Sequence, residues 1–182
     1  EAAGGIDAIV GWAGAISQHA SLLNLFRLQG NPGWYIEAHQ YSGLFLNHRL
    51  LIVASALLPL LAFAPLFRQS RHMATRYVLF FTLLALVAMI FTGGTHPPLG
   101  FIYGLVLEHV PGFAVFRTPY YKFGSALWLA YAVLIALSAS ALVDWVRGRF
   151  YGIHGSRFAA FGLGAVFVGA IVGYDYPVFS GA

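Results

Sequence analysis

Two cations and two tyrosines lie together at the start of the longest apolar segment of the chain, and their types suit phosphate chemistry. Arg117, Tyr120, Tyr121 and Lys122 fall within six positions. Arginine binds phosphate through paired hydrogen bonds and lysine binds it as a point charge, while tyrosine rings can stack on a sugar or line a lipid path. We therefore predict a phosphate or pyrophosphate site here. The alternative is that the cations reach lipid phosphates and the tyrosines form an interfacial aromatic belt.

The composition places these residues in a membrane protein. The 182 residues are 59% apolar and 9% charged, with a mean hydropathy of +0.75, whereas soluble domains carry roughly 25% charge. This excludes a soluble enzyme, a disordered tail and a disulfide scaffold. The absence of cysteine excludes thiolate metal sites. We predict an all-α integral membrane protein with no nucleic-acid partner.

Four segments of the sequence are long and apolar enough to cross a bilayer, which takes about 20 helical residues. They are residues 50–67, 77–92, 121–146 and 158–174. The first contains Pro59 and Pro65, which we expect to kink it. The third and fourth carry small residues at a spacing of four, which lets another helix approach closely. None has an ionisable residue near its centre, which disfavours an ion-coupled transporter.

The basic residues predict the orientation of these segments. Six of the ten Lys and Arg residues lie in loops 68–76 and 147–157, which the positive-inside rule places in the cytoplasm. Alternation then puts residues 1–48, 93–120 and 175–182 on the outer face of the plasma membrane. We accordingly divide the chain into an outer segment, 1–48, and a membrane bundle, 49–182.

Two short helices are predicted in the outer segments. One runs over about 98–110, begins at the Pro97-Pro98 pair and ends at Pro111-Gly112; it is too short to span, so it lies along the surface or re-enters the membrane. The other starts at Ser21, a candidate N-cap, and its apolar residues recur at helical spacing. We expect that helix to lie on the membrane surface.

Several common catalytic signatures are missing from the sequence. It contains no Walker A loop, HExxH, GxSxG or GxGxxG motif, and His39 and His48 are too far apart for a metal pair. We therefore predict no catalytic or metal-binding residue in this chain. The chain starts at Glu1 and ends in a turn-like stretch without charge, so we expect it to be a segment of a longer multi-span protein.

The outer segments resemble a known enzyme family. The runs that carry the resemblance are SLLNLFRLQG at 21–30 followed by Trp34, PGF at 111–113, FRTPYYK at 116–122 and YPVFSG at 176–181. They are similar to multi-span membrane glycosyltransferases of the α-(1→3)-arabinofuranosyltransferase type. Bacterial YfhO-type membrane proteins share the Phe-Arg-x-Pro entry to a helix.

This resemblance implies a GT-C fold, with its active site on the outer face of a larger bundle to which this chain contributes. The enzyme would transfer a sugar from a polyprenyl-phosphate donor to a cell-envelope glycan acceptor. Its essential acid would lie in an early outer loop outside this chain. Arg117, Lys122, Tyr120 and Tyr121 would then contact the donor, and helix 98–110 would form a wall of its groove.

Further contacts follow from the same resemblance. Arg27 and Asn24 would make polar contacts to donor or acceptor. No cofactor motif is evident here, and a divalent cation is left open for the full-length enzyme. The other partners are membrane lipids and the remaining helices of the protein. The alternative function is a non-enzymatic transporter, flippase or scaffold subunit that handles envelope lipids, because the same cations and groove would serve it.

Overall fold

The chain folds into helices. A computed structural model describes residues 2–32, 48–67 and 75–149, and single positions between 161 and 172. Every regular element in those residues is helical. The α-helices there are α1 (Ala2–Ser17), α2 (Leu22–Phe26), α3 (Arg49–Phe63), α4 (Thr75–Thr92), α5 (Gly100–His109) and α6 (Pro119–Arg149). Short 3₁₀ helices extend α3 (Ala64–Leu66) and precede α6 (Phe113–Phe116).

Three of these helices are long and apolar enough to cross a membrane. They cover Arg49–Leu66, Thr75–Thr92 and Pro119–Trp145, and they coincide with three of the four predicted spans. The third starts two residues earlier than predicted because proline is well suited to the first position of a helix. The fourth predicted span, 158–174, lies largely outside the described residues. The apolar helix within α1, Gly5–Ser17, is shorter.

The three long helices pack together through α6, which contacts both α3 and α4. One face of α6 is buried at Leu127, Ala130, Leu134 and Ser138. The outward faces of α3 and α4 stay apolar, with exposed side chains such as Leu57, Phe80 and Leu83. Apolar exposure along whole helix faces is typical of helices that contact lipid or further helices.

The two prolines of α3 act differently. Pro59 lies inside the helix, which continues past it, whereas Pro65 lies in the 3₁₀ extension. A proline has no N–H to donate to the carbonyl four residues back. Because position 65 is proline, the Leu61 carbonyl lacks its usual helical donor. It accepts hydrogen bonds instead from the Ala64 N–H and from the Ser138 hydroxyl of α6, the latter at 2.5 Å. A side chain of the neighbouring helix thus compensates for the proline.

Candidate functional site

One end of the bundle is covered by short elements, which we call the cap: α1 with the turn 18–20 that follows it, the loop 93–99, α5 and the 3₁₀ helix Phe113–Phe116. The inner face of α5 is buried at Gly100, Tyr103 and Leu107, and it packs against Ala13 of α1. The helix occupies the predicted region but starts later, because the two prolines lie in the turn before it. Val110, which follows the helix, is exposed.

The loop 93–99 is wedged between the end of α1 and the start of α6. Gly94 has φ +54°, and a Cβ at this position would lie 2.6 Å from Pro119 Cγ and 3.1 Å from Ser17 Cβ. The Ser17 and Thr95 hydroxyl oxygens are 3.3 Å apart. Only glycine, which has no Cβ, adopts this positive φ readily while other side chains lie so close. The start of α6 is therefore fixed by two other segments of the cap.

An aromatic cluster, which the sequence analysis missed, supports the approach to Arg117. It consists of Phe91, Tyr103, Phe113, Phe116 and Phe123, whose neighbouring ring centroids lie 5.0 to 6.4 Å apart. The Tyr103 hydroxyl donates a hydrogen bond to the Phe116 carbonyl. Burial raises the pKa of Tyr103 to about 12, so this hydroxyl stays a donor at neutral pH.

The predicted cations lie at the surface directly after this cluster. Arg117 follows the 3₁₀ helix, and its backbone N–H donates to the Ala114 carbonyl at 3.2 Å. Lys122 lies in the first turn of α6, and both side chains are exposed. These residues are therefore accessible to a ligand and are carried on a rigidly supported backbone.

The two predicted tyrosines are not equivalent. Tyr121 is 57% exposed, whereas Tyr120 is 4% exposed and belongs to the core of the bundle. The Tyr120 ring meets Tyr121 and Trp128 edge to face, with centroids 5.9 and 6.1 Å apart. Only Tyr121 presents a ring to a ligand beside the cations, and Tyr120 positions it.

Asn24 shapes the turn between α1 and α2. Its side-chain amide donates to the His19 carbonyl at 2.9 Å, and its backbone N–H donates to Ser21 Oγ at 3.2 Å. The second bond confirms Ser21 as the N-cap of α2. The local contacts of Asn24 are thus within its own turn.

Arg27 is the largest departure from the sequence analysis. Its side chain is 3% exposed, and its Nε donates to Ser55 Oγ on α3 at 2.7 Å. Leu25 beside it is fully buried. The expectation of a helix on the membrane surface did not anticipate this packing, in which Phe26 stacks on Phe63 of α3 and its carbonyl accepts the hydroxyl of Tyr131 on α6. Arg27 is therefore buried, whereas Arg117 and Lys122 are exposed.

The cap also holds a pair of histidines near one another. His19 follows α1 and His96 lies in the loop 93–99. Burial lowers the pKa of His19, and the charge of His96 lowers it further. The folded cap therefore disfavours the protonated form of His19.

Within the described residues, no group of three or more His, Asp or Glu side chains is arranged to hold a metal ion. At the cap, Arg117 and Lys122 present positive charge and Tyr121 presents an exposed ring. Comparison of the chain with family models, with curated proteins and with solved structures finds no match.

Proposed function

We propose that this chain is the later membrane portion of a glycosyltransferase that takes its sugar from a polyprenyl-phosphate carrier and acts on envelope glycans at the outer face of the plasma membrane. In this proposal α3, α4 and α6 cross the membrane, segment 158–174 is a fourth span, and loops 68–76 and 147–157 are cytoplasmic. The single observation that carries it is the pair of exposed cations at the capped end of an apolar bundle.

The position of Arg117 and Lys122 fits a lipid-linked phosphate. Lys122 lies in the first turn of α6, where the helix dipole also favours an anion. A polyprenyl chain would lie along the apolar helix faces, with its phosphate at the headgroup level beside these cations. Tyr121 is exposed next to them and would stack on the sugar.

The chemistry divides between this chain and the rest of the enzyme. When the glycosyl bond breaks, negative charge develops on the leaving phosphate, and positioned cations stabilise it. Arg117 and Lys122 would supply that stabilisation. The acid that activates the acceptor hydroxyl would come from an outer loop outside this chain. The aromatic cluster would keep Arg117 preorganised, because the Tyr103 hydroxyl bonds the Phe116 carbonyl just before it.

The test is Arg117→Ala in the full-length protein, assayed for sugar transfer in membranes at matched expression. A charge-assisted contact is worth about 1.5–3 kcal/mol, so we expect kcat/KM for the lipid-linked donor to fall by roughly ten- to a hundredfold. Arg76→Ala is the control, because Arg76 is also exposed but starts α4 at the opposite end, where it stacks on Tyr77 at 4.9 Å.

Unchanged kcat/KM in Arg117→Ala would overturn the role of this residue. A full-length protein that moves the lipid-linked sugar across the membrane without transferring it would overturn the enzyme proposal and would favour the flippase. Loss of activity in Arg76→Ala to the same degree would show that the effect is not local to the cap.

A further inference from the structure

We propose that residues 20–30 form a re-entrant segment that enters the membrane from the capped end and leaves on the same side, with Arg27 as the positioning residue that latches its tip to α3. This proposal rests on the membrane placement proposed above. It assigns to Arg27 a membrane-depth role that is separate from the surface cations.

The segment enters and leaves at the same level. A Cβ at Gly30 would lie 3.5 Å from Ala20 Cα and 2.5 Å from Leu25 Cδ2, so the two ends of the segment touch and Leu25 fills the space between them. Leu28 has φ +59°, and the Gln29 N–H donates to the Asn24 carbonyl at 2.7 Å. The chain therefore reverses sharply after α2, as a re-entrant loop must.

The tip of the segment lies well inside the bundle. Arg27 meets Ser55, which is six residues after Arg49 at the polar end of α3; at 1.5 Å per residue this is about 9 Å along the helix. The Phe26 carbonyl accepts the hydroxyl of Tyr131 at 3.2 Å. Tyr131 follows Pro119 by twelve residues, or about 18 Å along α6, and helix side chains lean back toward the N-terminus. Both contacts place the tip below the headgroup level.

Irregular backbone at membrane depth needs hydrogen-bond partners within the protein, and this segment has them. Tyr131 supplies a donor to the Phe26 carbonyl, and the Leu25 N–H donates to the Ser21 carbonyl at 2.8 Å. Phe26 stacks on Phe63 at 6.0 Å, and the edge of Tyr131 packs on the same ring. The tip is thus enclosed by α3 and α6.

Arg27 meets α3 about one turn before Pro59. Its Nε donates to the Ser55 hydroxyl, and that hydroxyl in turn donates to the Ile52 carbonyl at 2.9 Å. Ser55 is 1% exposed, so the guanidinium and the hydroxyl are buried together. A buried guanidinium needs hydrogen-bond partners within the protein, and α3 supplies one of them.

The hydrogen bond between Arg27 and Ser55, which we call the latch, also helps to support the cap. Leu25 lies under Gly93, where a Cβ would be 3.3 Å from Leu25 Cδ1. Gly94 follows at once and contacts Pro119, the first residue of α6. When Arg27 holds the tip in place, Leu25 supports the loop 93–99, which fixes the helix start beside Lys122. Arg27 thereby positions the cation site without touching it.

These 182 residues contain no cysteine, so single cysteines can test the topology once any cysteine elsewhere in the full-length protein is replaced by serine. The full-length protein in intact membranes is labelled from outside with a charged, impermeant maleimide. Gln18→Cys lies before the segment and is exposed, so it should label. Leu23→Cys is 61% exposed on α2, where a re-entrant segment faces lipid, so it should label at least about tenfold more slowly. A surface helix would present Leu23 to water.

The latch is tested in the same Leu23→Cys background. Arg27→Ala should raise the labelling rate of Leu23→Cys by about tenfold, because loss of a charge-assisted hydrogen bond increases the open population by at least that factor. Arg27→Lys should restore part of the protection. Arg49→Ala is the control, since Arg49 is an exposed arginine at the end of the same helix.

The outcomes separate the two proposals. Equal labelling of Leu23→Cys and Gln18→Cys overturns the re-entrant segment, provided that Leu83→Cys on the lipid face of α4 stays unlabelled. Labelling of Leu83→Cys as well would overturn the membrane placement itself. Protection of Leu23→Cys that survives Arg27→Ala would overturn the latch alone.

Discussion

The substitution Ser138→Ala should show how much the Ser138 hydroxyl of α6 stabilises the turn at Pro65. Ser138 is 7% exposed, and its hydroxyl donates to the Leu61 carbonyl at 2.5 Å. Interhelical hydrogen bonds in membrane proteins average about 0.6 kcal/mol and reach about 1.7. The Leu61 carbonyl keeps the Ala64 N–H, so it is never wholly without a donor. We therefore expect Ser138→Ala to lower the free energy of unfolding by about 1 kcal/mol.

The Pro65→Ala background makes this expectation specific. Alanine at position 65 has an N–H that can reach the Leu61 carbonyl in an α-helical turn. The hydroxyl of Ser138 is then redundant, and Ser138→Ala should cost about 0.3 kcal/mol or less. The difference between the two backgrounds is the coupling between the proline and the serine.

The measurement is reversible unfolding in mixed detergent micelles, followed by the fluorescence of the four tryptophans. The matched control is Ser140→Ala, since Ser140 is exposed on the same helix and its replacement should change the free energy of unfolding by less than about 0.5 kcal/mol. If Ser138→Ala costs the same in the wild-type and the Pro65→Ala backgrounds, the hydroxyl does not compensate for the proline and the reasoning fails.

Three further predictions concern the cap. Gly94→Ala should destabilise the protein by about 1–3 kcal/mol, because the new Cβ would meet Pro119 at 2.6 Å. Gly104→Ala has nothing within 4 Å of its Cβ and should stabilise α5 by about 0.5–1 kcal/mol. Thermal unfolding of both variants measures these two changes in stability. Because the pKa of His19 is lowered in the folded state, the unfolded chain takes up the proton first, so stability should fall as the pH drops below the ordinary histidine pKa of 6.5; His19→Asn should flatten that part of a Tm-against-pH curve, and an unchanged slope would contradict it. Tyr103→Phe should cost about 0.5–1.5 kcal/mol of stability and raise the KM for the donor, and a KM equal to that of the wild type would separate the aromatic cluster from the site.

The long helices were predictable because hydrophobic length is a local property. Residues 77–92 and 121–146 were identified from the sequence within two or three positions of α4 and α6. The requirement of about 20 apolar residues depends on nothing but the chain itself. The N-cap at Ser21 was predictable for the same reason, because capping involves only the first turn of a helix.

The burial of Arg27 was not predictable from its neighbours in the sequence. Apolar residues at helical spacing occur in surface helices and in re-entrant helices alike, so the pattern around Leu25 could not distinguish them. The burial of the segment depends on Ser55 and Tyr131, which lie 28 and 105 residues away from Arg27 and Phe26 respectively.

The difference between the two tyrosines was equally non-local. Tyr120 and Tyr121 are adjacent, and consecutive helical residues point about 100° apart, so at most one of them could face outward beside Lys122. The sequence did not reveal which one, since that depends on where α6 meets the bundle. The packing of Tyr120 against Trp128 on one side of the helix leaves Tyr121 exposed.

Buried and exposed arginines should separate stability from activity. Taking a guanidinium out of water is costly, so Arg27 contributes mainly to the geometry of the tip and little to net stability, while its truncation leaves a gap and leaves Ser55 Oγ without this donor. Arg117 is exposed, and its replacement should shift the free energy of unfolding by less than about 0.5 kcal/mol. A variant of Arg117 that loses transfer while keeping the wild-type stability, beside a variant of Arg27 that opens its segment, would therefore locate the phosphate contact at the surface of the cap and the structural support for it within the bundle.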